Sequence, residues 1–475
     1  MSAWGYRGVR QGSRDEAPAG KGIIVRTQSL GDQTVDLLGR LVRLGCVNDL
    51  TADSGGEERA ADLLEEFFAG LPVSIERITP HPGRTSLVVT VEGADPRSAG
   101  TPLTLLGHTD VVPVDTAKWT RDPFGAQIED DVMWGRGTVD MLHLTAAMAV
   151  VTREVARRAQ EGAPLARSLV FVAAADEEAR GGLGVPWIGD NKPNAFSWDA
   201  ALSEMGGAHV RGRRGGDSVV VVVGEKGAAQ RRLHIRGDAG HGSVPLGRTS
   251  AVERLAQVSA ALSAARWPTA TDEVWAGFVR AFEFDETTET SLINGTYEGD
   301  YSEFEDLAAF AHAISHVTVA QTVAHSGGPI NVMPSHATLE LDIRTLPGVD
   351  DDDVDAAIAA ALGDLAEQVT IERLLSEAAT ASSIDTDLYR VIEAALTQRY
   401  PGTRVVPVLF PGGSDLRVAR RLGGIGYGFG AVDSGASLGQ VYSQLHAHDE
   451  HIALADVRAT AEVLHEVVTS YLTDV

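Results

Sequence analysis

The chain has 475 residues, 44% of them hydrophobic and 22% charged, which is the composition of a soluble globular protein with room for two or three domains. Forty basic against 66 acidic side chains give a formal charge of −26, which repels phosphate backbones and excludes nucleic-acid binding as the main activity. No apolar run approaches the roughly 18 residues a membrane helix needs, so the sequence predicts no membrane partner.

The first thirty residues are rich in Gly and Arg and lack the apolar centre of a secretory signal, so residues 1–30 are expected to form a loose leader and the protein to be cytoplasmic. A helix is predicted over Thr34 to Leu44 and a second through Phe68, the latter opened by Ser54-Gly55-Gly56-Glu57-Glu58. The single cysteine, Cys46, follows the first helical pattern and reads as a buried thiol. Short apolar runs at Ser86 to Val91, Leu103 to Leu106, Ser168 to Ala174 and Ser218 to Val223 alternate with helical patterns such as Leu144 to Ala159. This alternation predicts an α/β domain with a mostly parallel central sheet.

The pattern changes at Lys226. Strand Arg231 to Arg236, helix Ser250 to Ala265, a long irregular stretch, strands Val317 to Ala324 and His336 to Ile343, helix Val354 to Leu365 and strand Val369 to Leu374 follow. That β-α-β-β-α-β order predicts an inserted ferredoxin-like α+β unit over residues 226–380. It divides the α/β domain into 31–225 and 381–475, the second part resuming with a helix from Asp385 to Arg399. The acidic run Asp350 to Asp353 reads as a helix cap.

Acids and histidines gather where predicted strands end, the place where open α/β sheets build their sites. Gly107-His108-Thr109-Asp110 follows the strand from Leu103. Asp140 ends Trp134-Gly135-Arg136-Gly137-Thr138-Val139-Asp140, where it can cap a helix or offer two oxygens to two cations. Asp176-Glu177-Glu178 follows the strand to Ala174, and adjoining carboxylates repel one another unless solvated or neutralised by a cation. Glu204 stands beside Gly206-Gly207, and His446 opens His446-Ala447-His448-Asp449-Glu450. Each fragment alone also reads as an ordinary cap, turn or core histidine.

Their order along the chain is more specific. Gly55-Gly56-Glu57, GHTDVVPV, WTRDPFGA, WGRGTVDM, ADEEARGGLG, SEMGG, GEKG, GHGSVP, NVMPSHATLELDIRTLPG, PGGSD and LHAHDE together resemble the M20 metallopeptidase family, over nearly the whole chain after the leader. That family includes aminoacylases, glutamate-type carboxypeptidases, succinyl-diaminopimelate desuccinylase-like enzymes and several dipeptidases. The resemblance implies a zinc-peptidase catalytic domain with the inserted unit serving as lid and dimerisation domain, and a homodimer formed through it. It implies two Zn2+ per chain, with Co2+ or Mn2+ as substitutes: His108, Asp140 and Glu204 hold one ion, Asp140, Glu178 and His446 the other. Glu177 matches the general base acting on a metal-bridging water, Asp110 the acid that orients His108, and His241 a lid histidine that reaches the partner subunit's site. Arg344 and Asn331 match a substrate-carboxylate clamp, and Gly412, Gly413 and Ser414 the loop beside it. For Arg344 a strand ion pair with Asp342 is the alternative.

The implied reaction is hydrolysis of an amide or peptide bond next to a free carboxylate, on an N-acyl amino acid or short peptide. A dipeptidase and a non-catalytic peptide- or metabolite-binding member are the rival readings. Two departures stand out: Leu142-His143 where the family often has lysine, and Ser203-Glu204-Met205 where many members have Asp-Glu-Gly. The region from Trp267 to Ser315, with its aromatic residues, is expected to shape the substrate channel, extend the dimer contact or form a surface insertion.

Overall fold

The computed structural model describes residue 1 and residues 28–473 apart from 52, 94–99 and 164, so most of the expected leader lies outside the described residues. Strands Leu103–His108, Leu169–Ala174 and Ala200–Ser203 are buried at every position, which is why they read as continuous apolar runs without alternation. They form the middle of a ten-stranded sheet. Its order is Ser74–His81, Arg84–Val91, Leu169–Ala174, Leu103–His108, Ala200–Ser203, Ile425–Gly428, Asp217–Glu225 and Thr380–Ala381, with Gly206–Arg211 and Arg404–Phe410 also paired to Asp217–Glu225.

This sheet is mixed, not mostly parallel. Its centre is parallel, but Ser74–His81, Arg84–Val91, Gly206–Arg211 and Thr380–Ala381 pair antiparallel with their neighbours. For two of these pairs the reason lies in the connections: Pro82-Gly83 and the turn around Gly215 are too short for a crossover and can only make hairpins.

Helices Leu30–Leu44, Leu142–Gln160 and Leu454–Thr473 pack together over one face, sharing a core with Leu103, Leu105, Phe171 and Leu202. The first begins where the Ser29 hydroxyl accepts the Asp32 N–H at 3.0 Å and ends at Gly45, which reaches a φ of 55° without strain because it has no Cβ. Cys46 is buried, and burial pushes its thiol up to about 12.

A four-stranded antiparallel sheet follows, ordered Thr318–Ser326, His336–Thr345, Gly227–Arg236, Val369–Glu377. Helices Ala251–Ala264 and Asp351–Leu362 contribute Val258, Leu262, Ile358 and Leu362 to a core with Leu233, Ile235, Leu339 and Leu341. These strands and two helices follow one another in β-α-β-β-α-β order, with three further α-helices between the first helix and the second strand. The acidic run caps as expected: the Asp350 carboxylate accepts the N–H groups of Asp352 and Asp353, and Asp351 pairs with the buried Arg231.

Residues 267–315 are not irregular. They carry helices Glu273–Ala281, Glu286–Ile293 and Ala308–Ser315. Phe278, Phe282 and Phe284 surround Phe304, with ring centres 6.1, 4.7 and 5.0 Å away. The same core takes in Val220, Val222, Val406 and Val408 of the large sheet, so this region is a buried layer rather than a surface insertion. No helix among the described residues is long and apolar enough to cross a membrane.

Candidate metal centre

Three adjacent parallel strands deliver their ends to one edge of the large sheet. His108 is the last residue of Leu103–His108, Glu177 and Glu178 follow Leu169–Ala174, and Glu204 follows Ala200–Ser203. Asp140 arrives from the loop before helix Leu142–Gln160, and His446, at φ 58°, from the loop before His451–Ala453. Asp140 does not cap that helix: the cap position is Met141, with no side-chain hydrogen bond.

One Asp140 oxygen lies 3.3 Å from His108 Nε2 and the other 3.3 Å from His446 Nε2. His446 Nε2 is also 3.2 Å from Glu178 Oε2, and His108 Nε2 is 3.7 Å from Glu204 Oε2. Ligand atoms of His108, Asp140 and Glu178 lie within 4.8 Å of one another, as do those of His108, Glu177 and Glu204, and each group could hold a metal ion.

A second set of buried groups fixes these side chains. His108 Nδ1 is 2.9 Å from the carbonyl oxygen of Asp110 and 3.7 Å from its carboxylate, so the nearer orienting group is the backbone. The Asp110 carboxylate instead accepts the N–H groups of Glu177 and Glu178 at 3.2 and 3.1 Å and Asn48 Nδ2 at 2.9 Å. Asn48 also donates to Asp176, and its carbonyl oxygen accepts from the buried Arg84, which pairs with Glu57 at 2.6 Å. On the opposite side Glu450 accepts the backbone N–H groups of Gly137, Val139 and Asp140 at 2.9, 2.7 and 3.1 Å, and Arg136 Nη1 at 2.7 Å.

Burial and mutual repulsion dominate the electrostatics. Burial pushes Glu204 up to about 8 and Glu178 up to about 7, with the Asp140 charge adding to both. Burial likewise raises Glu177 well above the carboxylate range, helped by Glu204. Hydrogen bonds to Asp140 and Glu178 raise His446 to about 10. Against its burial, Asp140 is held low by the two histidines. Glu178 Oε1 is buried with no hydrogen-bond partner. Acids crowded this closely, with burial already disfavouring their charged forms, call for a compensating cation.

The cluster opens into a polar cavity of about 430 Å³ whose wall includes Glu177, Glu178, Arg344, Gly412 and Gly413. Arg344 also pairs with Asp342 at 3.0 Å, so the clamp position and the strand ion pair coexist. Lys226, Arg180 and Arg417 line the same cavity and were not singled out from the sequence. Lys226 Nζ donates to the carbonyls of Ala313 and His316 and to Thr318 Oγ1, and burial pushes its amine down to about 7. Ser414 does not line the cavity; its N–H and hydroxyl donate to the buried Glu225 at 2.7 and 2.6 Å. Nor do His241, on a two-stranded ribbon pairing Gly240–His241 with Val332–Met333, and Asn331, the residue before that second strand. There His241 Nδ1 meets Ser243 Oγ at 2.7 Å, and the Gly242 N–H donates to the Asn331 carbonyl at 2.7 Å.

The sequence profile of peptidase family M20/M25/M40 matches residues 104–470, a span holding the whole cluster. The chain belongs to this family. Among its curated M20 relatives is the Dictyostelium discoideum protein named "Probable carboxypeptidase S-like 2", 26% identical over 70% of this chain. An acetylornithine deacetylase of Erwinia tasmaniensis is 27% identical over 64% of it. The chain spans 64% and 65% of the lengths of these two relatives. In fold, it is similar to an M20 family metallo-carboxypeptidase of Sulfolobus solfataricus, with a TM-score of 0.66, 20% identity and coverage of 93% of this chain and 99% of that one.

Proposed function

We propose that this M20 chain is a dinuclear zinc hydrolase that cleaves an amide or peptide bond next to a free carboxylate. The observation that carries the proposal is Asp140, whose two oxygens face two different histidines at 3.3 Å each. Zinc bonds of about 2.0–2.1 Å in a tetrahedron separate ligand atoms by about 3.3 Å, so the contacts around Asp140 have the spacing of ligands sharing an ion. His108, Asp140 and Glu204 would hold one ion, and Asp140, Glu178 and His446 the other. The orphaned Glu178 Oε1 and a donor set of imidazoles and carboxylates fit such ions, with cobalt or manganese as alternatives. Bound, they would supply Lewis acidity toward the scissile carbonyl and toward water.

The remaining work falls to the chain itself. Glu177 lines the cavity beside the cluster, where it takes a proton from the attacking water and returns it to the leaving nitrogen. Arg344, through the guanidinium edge not engaged by Asp342, receives the substrate carboxylate, with Gly412 and Gly413 leaving room beside it. The unit over residues 226–380 acts as a lid and joins two copies into a dimer. Exposed Val244, Leu246, Ile330 and Val332 around the His241 ribbon supply an apolar surface for that contact, which would bring His241 to the partner's site as an oxyanion donor.

The test is a screen of N-acyl amino acids and dipeptides with zinc-loaded protein, before and after chelation. The reading expects chelator-sensitive release of a free amino acid. Absence of release with zinc and with cobalt would overturn it in favour of a binding protein.

A further inference from the structure

Glu177 and Glu178 ride on a turn over residues 176–184 whose backbone is strained. Asp176 and Arg180 stand at φ 65° and 67°, a left-handed conformation that favours glycine and that a side chain adopts at a cost. Inside the turn the Gly181 N–H donates to the Asp176 carbonyl at 2.6 Å and the Arg180 N–H to the Glu177 carbonyl at 2.8 Å. Two carboxylates hold it as well. Asp110 accepts the N–H groups of Glu177 and Glu178, and Asp176 Oδ2 accepts the Leu183 N–H at 2.7 Å.

Asn48 joins those two carboxylates. Its Nδ2 donates to Asp110 Oδ2 at 2.9 Å and to Asp176 Oδ1 at 3.0 Å, which uses both hydrogens of the amide, and its Oδ1 accepts Arg84 Nη2 at 3.0 Å. Among the described residues no other side chain hydrogen-bonds both acids. Asn48, Asp110, Asp176 and Arg84 are all buried. Buried carboxylates repel one another; Arg84 offsets part of that charge from 3.4 Å away from Asp176, and the neutral amide ties the pair without adding a second cation. Asn48 is anchored in its turn, its own N–H donating to the Val111 carbonyl at 2.9 Å. It is not part of the wall of the polar cavity, so it acts through other residues.

We infer that Asn48 is a positioning residue for Glu177: by tying Asp110 to Asp176 it holds the strained turn in the form that aims the base into the cavity; this rests on the hydrolase reading above. Cutting the tie frees one donor-starved carboxylate at each end of the turn, which then relaxes and carries Glu177 off its place.

The experiment uses the full chain and two variants. Asn48→Ala removes the amide, whereas Asn48→Asp keeps its size and its acceptor for Arg84 and loses both donated bonds. At saturating zinc each should lower kcat on the order of 10²-fold, the scale of a misplacement of about 1 Å, with KM within about twofold. In a Glu177→Gln background the same changes should lower kcat no further, because they act through Glu177. Hydrogen exchange on metal-free protein reads the turn without turnover. Peptides covering residues 176–184 should exchange roughly tenfold faster in both variants, and those covering helix Asp387–Arg399 should not change. Should neither variant fold, Asp176→Ala cuts the same tie from its other end and is read in the same way. A kcat loss that persists in full in the Glu177→Gln background, or unchanged exchange of the turn, overturns the positioning role and leaves the hydrolase reading standing. A loss in Asn48→Ala that Asn48→Asp escapes assigns Asn48 to packing and overturns the role as well. Absence of hydrolysis by the wild-type chain, with faster exchange in the variants, overturns the hydrolase reading and leaves Asn48 as the group that holds the turn.

Discussion

The strand-end cluster and the His241 ribbon carry the two kinds of histidine the sequence marks out, and they are built in opposite ways. His108 is buried, and both its ring nitrogens are engaged, one by a backbone carbonyl and the other by Asp140. Asp110 and Glu450 each grip the backbone N–H groups of the segments bearing the cluster's acids. His241 is exposed on a short ribbon beside Leu246 and Ile330, both fully open to solvent. The first arrangement is preorganised by buried partners; the second is an exposed surface. A side chain on a buried strand is held still by its neighbours, and one on an exposed ribbon is left free.

Substitutions can break this contrast, and the largest effect belongs to the cluster. Glu177→Gln should retain zinc and lower turnover by about 10²–10⁴-fold, measured as kcat on the substrate found by the screen. His241→Ala should lower kcat by about 10²–10³-fold with little change in KM, and should be rescued in mixed dimers containing one intact ribbon. A monomeric protein unaffected by that change would place His241 outside the chemistry. Glu450→Gln leaves every ligand in place but weakens the grip on the Asp140 loop, so zinc affinity should fall about 10–100-fold in a chelator competition. Arg344→Ala should raise KM on the order of tenfold for substrates with a free carboxylate and spare their amides.

The smallest effect concerns pH and the layer that carries Phe310. Burial, with His312 beside it, pushes His316 down to about 4. An unfolded histidine titrates near 6.5, so between these values the unfolded chain binds a proton that the folded chain does not. The stabilisation is therefore complete above about pH 6.5 and is lost as pH falls toward 4. His316→Gln should narrow the difference in Tm between about pH 7.5 and pH 5 without altering zinc binding.

The cluster was legible because His108, Asp140, Glu177, Glu178, Glu204 and His446 all sit inside short motifs whose order along the chain is that of the family. Arg136 and Glu450 lay in those motifs too, but their part depends on a pairing across 314 positions that spacing cannot reveal. Arg84 had a cue, a charge opening an otherwise uncharged strand, whereas Asn48 had none. The β-α-β-β-α-β pattern was legible from its alternation. The antiparallel edges of the large sheet were not read: apolar runs carry no sign of strand direction, and the cue lay instead in the short connections at Pro82-Gly83 and Gly215. The helices of residues 267–315 have eight or nine residues, about two turns, too few for a periodicity to stand out from their aromatic content.

The most direct test of the central claim is the zinc stoichiometry of the folded chain, measured by titrating metal-free protein. The account predicts about two zinc ions per chain, with Asp140→Ala losing both because each half of the cluster uses one of its oxygens. A wild-type chain that binds one ion, or none, would contradict it.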